Sequence, residues 1–235
     1  MNITKNLTIT LIVTFFVLNN AMAERVSVRP TAYINKVFKL QLCEVGSTLA
    51  NCLNPLIIGQ SAAGKEMDLS VVGSANSFGK ASLIPSGITY THAQVVMSRS
   101  VTVAGSVTTS ADTCNTGGTA ATNSAGGATD NGTVENQTLV AFNGTNHGDE
   151  MNSTSAITGG TDAAAGTLDN AHDFMKFRWL LVSPLNVTAG NIPSITISFD
   201  LSGALTFDDT ATNDDGGCDT NSFFLEKPAI TNSFN

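Results

Sequence analysis

The chain has 235 residues, 42% apolar and 13% charged, with 11 Lys and Arg against 19 Asp and Glu for a net charge of −8. That acidic balance excludes nucleic acid and anionic membrane surfaces as expected partners, because both require a basic face. The length suits one all-β domain with a long insertion, or two small domains.

Taken in chain order, Lys5 precedes an apolar run from Leu7 to Leu18, which Asn19 and Asn20 close before Ala21-Met22-Ala23. A positive region, an apolar segment and a small-x-small site are the parts of a secretory signal peptide. Residues 1–23 are therefore expected to be removed, which leaves 24–235 as the mature domain. Losing Lys5 takes the net charge from −8 to −9. A membrane-spanning helix needs about 20 apolar residues, and no stretch reaches that length, so no membrane span is expected in the mature protein. The expected location is secreted, extracellular or at the cell surface, with the periplasm as the other exported compartment.

The mature sequence repeats at period two, the pattern of strands with one buried face. In Ala32 to Cys43, Ile34, Phe38, Leu40 and Leu42 share one predicted face and Asn35, Lys39 and Gln41 the other. Leu56-Ile57-Ile58 is a shorter candidate, and Met67, Leu69 and Val71 alternate with Asp68 and Ser70. Gly59-Gln60-Ser61-Ala62-Ala63-Gly64-Lys65 matches the first seven positions of a phosphate-binding loop. Glu66 stands where Ser or Thr must hold magnesium, and a strand pattern follows where a helix should begin, so the segment is read as a turn between two strands. Ile88 to Val103 reads as a long or bent strand. Met175, Phe177, Trp179 and Leu181 alternate with Lys176 and Arg178, and Ile195, Ile197, Phe199 and Leu201 alternate with polar residues. Gln137 to Phe142, Ala204 to Phe207 and Phe223 to Leu225 are further candidates. Apolar residues at helical spacing are nearly absent, so the expected fold is all-β, an antiparallel β-sandwich. Residues 105–170, rich in Gly, Thr, Ala, Ser and Asn, are expected to form a loop-rich insertion.

The segment Ile84-Pro85-Ser86-Gly87-Ile88-Thr89-Tyr90-Thr91-His92, followed by Val95, resembles exported bacterial β-sandwich domains of uncharacterised function. The resemblance spans Tyr33 to Val103 and implies a prealbumin-like or carbohydrate-binding-like sandwich, with no catalytic residues to carry over. A further cysteine pair and the 105–170 insertion depart from it.

Four cysteines in an exported chain favour two disulfides. Cys43 ends one strand-like run and Cys52 precedes the next, so a local Cys43–Cys52 staple is expected. Cys114–Cys218 follows by elimination. No CxxC pair or clustered Cys/His spacing points to zinc.

Catalytic chemistry finds little footing. There is no Gly-x-Ser-x-Gly elbow, and His92, His147 and His172 stand in unrelated contexts, so no catalytic residue and no cofactor are expected. Calcium is the one ion the loop chemistry could take, at Asp208, Asp209, Asp214, Asp215 and Asp219, although the spacing is not that of an EF-hand. Two functions remain. The first is a structural or adhesive cell-surface protein, a homo-oligomer or fibre subunit assembled by strand exchange. Its assembly strands would carry Val26 and Val28 near the mature start, or Ile230 and Phe234 near the last residues. The second is a module that binds surface glycans or another ligand.

Overall fold

The computed structural model describes residues 25–71, 78–108, 113–119, 125–141, 151–154, 174–188, 193–208, 218 and 223–234. The predicted leader and its cleavage site lie outside them. Among the described residues the protein is all-β. The first strands are β1 (Arg25–Val28), β2 (Ala32–Glu44), β3 (Leu56–Asp68), β4 (Thr89–Ser98), β5 (Ser100–Ala104), β6 (Ser106–Thr108), β7 (Thr113–Gly118) and β8 (Ala125–Asp130). They are followed by β9 (Gln137–Val140), β10 (Met151–Thr154), β11 (Phe174–Asn186), β12 (Ile195–Asp200), β13 (Leu205–Asp208), β14 (Phe223–Leu225) and β15 (Ala229–Phe234). A 3-10 turn, Ala81–Leu83, interrupts them.

The strands form three sheets. One has the order β1-β13-β14-β8-β7-β6, and a second the order β10-β11-β4-β2-β5-β9 with β3 also paired to β2. The third is the pair β12-β15. Every pairing is antiparallel. The first sheet curls until its outermost strands, β1 and β6, touch without pairing. One core joins the layers, with Leu42, Val95, Val103 and Met175 from the second sheet and Val107, Leu205, Phe207 and Phe223 from the first.

β2 shows why a simple alternation failed to assign its faces. Tyr33 and Val37 are buried near its start, and Leu40 and Leu42 near its end, while Ile34 is only half-buried. The register against β4 slips between Val37 and Lys39, so Phe38 is an extra residue and the buried set changes from odd to even positions. Ile34 therefore does not share the face of Leu40 and Leu42, contrary to the expectation. The displaced Phe38 ring meets Phe174 edge-on at 5.0 Å. It also lies where a side chain on Gly64 would stand, 2.8 Å from an added Cβ, and Gly64 has φ +73°.

The segment resembling a phosphate-binding loop is no turn. Residues 59–65 run inside β3, with Gly59, Gln60 and Lys65 paired to Leu40, Lys39 and Val37. Residues 61–64 have no partner in that ladder and bulge out opposite Phe38, and the strand resumes at Lys65 where a phosphate-binding loop needs the start of a helix.

Residues 105–170 also depart from expectation, because β6 to β10 come from this stretch. Strands with few large side chains succeed here through close approach. Gly126 lies under Phe223, whose ring would sit 1.9 Å from an added Cβ, and that ring supplies the apolar bulk that β8 lacks. Gly105 performs a related task at the corner where the chain leaves β5 for β6 and changes sheet; an added Cβ there would meet Leu205 at 2.5 Å. The carboxamide of Gln137 on β9 ties the two sheets, accepting from Gly127 N at 3.2 Å and donating to Gly118 O.

Candidate functional site

The terminal strands are the first place to look, because their alternation suggested segments able to pair with a neighbour. β1 pairs with β13 alone, placing Val26 opposite Phe207 and Val28 opposite Leu205. Both valines are half-buried against the core, while Arg25 and Ser27 face out. Ser27 Oγ lies 2.8 Å from Thr206 Oγ1.

Among the described residues β15 pairs with β12 alone, with Ile195 opposite Phe234 and Asp200 opposite Ala229. Ile230, Asn232 and Phe234 point inward and are half-buried, and Ala229, Thr231 and Ser233 point out. Ile230 and Phe199 lie over a small apolar cleft whose floor includes Tyr33, Met97, Met175 and Phe177. Toward β11 the contact is made by a side chain instead of a ladder. Asn232 Oδ1 accepts from Val182 N at 3.0 Å and Asn232 Nδ2 donates to Leu180 O at 3.4 Å.

The outer face of the second sheet carries a buried polar row. Gln41, Gln94 and Arg178 stand opposite one another on β2, β4 and β11. Arg178 Nε and Nη2 donate to Gln94 Oε1 at 2.9 and 2.6 Å, and Gln94 Nε2 donates to Gln41 Oε1 at 2.7 Å. Arg178 Nη1 donates to Leu49 O at 2.5 Å, which fastens the loop between β2 and β3 over the row. Cys43–Cys52 closes that loop covalently. His92 is buried one register step away and shares a 3.0 Å hydrogen bond with Thr91 Oγ1. Burial, and then the Arg178 guanidinium, hold its imidazole below its ordinary pKa. Its described partner is a hydroxyl and not a carboxylate, so no base-and-orienter pair forms here.

Both disulfides join the cysteines that the sequence suggested, Cys43 to Cys52 and Cys114 to Cys218. Such bonds persist in oxidising compartments, which fits an extracellular or periplasmic chain. Asp130 lies beside the second bridge and accepts from Cys218 N at 2.5 Å. Although Cys114, Asp130 and Cys218 are clustered, the two sulfurs are bonded to each other and offer no thiolate. Asp208 closes β13, and its proposed companions Asp209, Asp214, Asp215 and Asp219 lie outside the described residues, as do His147 and His172. Among the described residues no helix is long and apolar enough to cross a membrane.

Sequence reasoning missed Asn232 and the Gln41-Gln94-Arg178 row. Neither has a local signal, since Asn232 is 50 residues from Val182 and Arg178 is 84 from Gln94. Comparison of the chain with family models, characterised proteins and solved structures finds no match.

Proposed function

We propose that this is a secreted structural or adhesive cell-surface protein, a subunit of an extracellular fibre whose copies join by exchanging an edge strand. In this reading the two larger sheets pack as a β-sandwich and the role is not catalytic. The observation that carries it is the placement of the first and last described strands. Each pairs with a single strand, and each buries only alternate side chains, so either could make the same contacts with a neighbouring copy. A chain with 11 Lys and Arg in 235 residues also offers trypsin-like proteases few sites, which suits a protein that must persist outside the cell.

Glycan binding is the less favoured reading. Sugar sites commonly use an aromatic face to stack on, and Trp179, Tyr33 and Tyr90 are all buried. Negative-stain electron microscopy of the purified mature protein is expected to show filaments. A protein that stays monomeric by light scattering at high concentration, with and without calcium, would refute the fibre reading.

A further inference from the structure

The Asn232 carboxamide occupies an unusual position on β11. In a parallel ladder, one residue donates its N–H to the carbonyl before its opposite number and accepts from the N–H after it. Asn232 makes that pattern with its side chain, donating to Leu180 O and accepting from Val182 N. It thus imitates a strand residue placed opposite Leu181. β10 pairs with β11 over Phe174–Phe177, short of this point, and the side chains of Leu180 and Val182 are 64% and 73% exposed.

β15 is thereby seated on three separate features, all outside itself. The β12 ladder supplies six register pairs, from Ile195↔Phe234 to Asp200↔Ala229. Ile230 packs against the core and lines the apolar cleft. The β11 edge receives Asn232. Among the described residues no ladder joins the β12-β15 sheet to either larger sheet, and two strands alone are marginal in water. The two strands differ in how firmly they are anchored. β12 runs directly into Leu201, fully buried, and a turn closed by Ala204 N donating to Leu201 O at 3.0 Å. β15 is reached from β14 through Glu226, Lys227 and Pro228, and a proline without an N–H breaks the ladder there. Among the described residues β12 has no strand partner but β15, so the seat is complete only while a β15 strand, its own or a neighbour's, fills it.

We infer that β15 is the exchanged strand. Its acceptor in the next copy is the β12 edge, the cleft under Ile230 and the Leu180–Val182 latch for Asn232. This rests on the strand-exchange reading and names its donor and acceptor. A second copy is the occupant that fits, because every contact of the seat is already satisfied by this strand. An exchange that repeats head to tail leaves an empty seat at one end and a spare strand at the other, so it grows into an open chain.

The test places a cysteine pair across the ladder at outward-facing positions, Ser198→Cys with Thr231→Cys, residues that stand opposite each other. A second variant, Ser27→Cys with Thr206→Cys, places a pair across β1 and β13, with Ser27 exposed and Thr206 buried. Each mature protein is concentrated, oxidised and run on a non-reducing denaturing gel. Exchange of β15 predicts dimers, trimers and longer ladders from the first variant and only monomer from the second. Assembled material whose Ser198→Cys/Thr231→Cys link stays within one chain overturns the inference and leaves self-assembly standing. A ladder from the β1 variant alone moves the exchange to β1. Protein that never leaves the monomer overturns both the inference and the fibre reading.

Discussion

At the scale of single residues, His92 shows how burial converts into a pH response. Its imidazole is held below the ordinary 6.5, first by burial and then by Arg178, the charged group beside it. The unfolded chain therefore binds a proton at mildly acid pH where the folded chain does not, and stability falls as pH falls. This contribution is complete above pH 6.5 and is lost below it, toward the depressed folded value. His92→Gln should flatten that part of the profile. Urea midpoints at pH 7.5 and 5.5 would check it, with the drop smaller in the variant than in the parent. That His92 sat in a strand was legible from its neighbours. Its burial was not, because the strands on either side of it, with Cys43 and Leu180 opposite, come from distant parts of the chain.

Among the elements, β11, β12 and β13 fall where their patterns predicted, while the one long strand expected over Ile88 to Val103 is two, β4 and β5, divided at Arg99. The other errors share one physical origin. A bulge at Phe38 changes which residues point inward without changing the composition, so the second half of β2 follows a different phase from the first. Residues 105–170 misled for a related reason, since glycine in β8 is an adaptation to the Phe223 ring and not a mark of a loop. Gly126→Ala should accordingly destabilise the protein by about 1–3 kcal/mol or more, because Phe223 is fully buried and has little room to retreat. Gly203→Ala makes the comparison, as its added Cβ would meet only Ser27 Cβ at 3.7 Å. It should stay within about 0.5 kcal/mol. Chemical denaturation of the two variants side by side checks both expectations.

Across the whole molecule the Cys114–Cys218 bridge sets the largest covalent constraint, with its ends 104 positions apart in sequence. Closing a loop of that size removes enough unfolded-state entropy to be worth about 4–5 kcal/mol. Replacing both cysteines by serine should therefore cost far more than a typical surface substitution, read as a lower denaturant midpoint under oxidising conditions. The pairing was legible from the cysteine count and their placement. Which terminal strand the proposed exchange would use was not, since that argument depends on where Asn232 falls against the edge of β11. In the proposed adhesive role the same bridge would have a mechanical meaning. A pull applied at β1 and β15 would run from β7 through the sulfurs to Cys218 and so bypass β8 to β13. At about 3.4 Å per extended residue, that withholds roughly 350 Å of slack, so a loaded chain would yield by short steps and not pay out its full length.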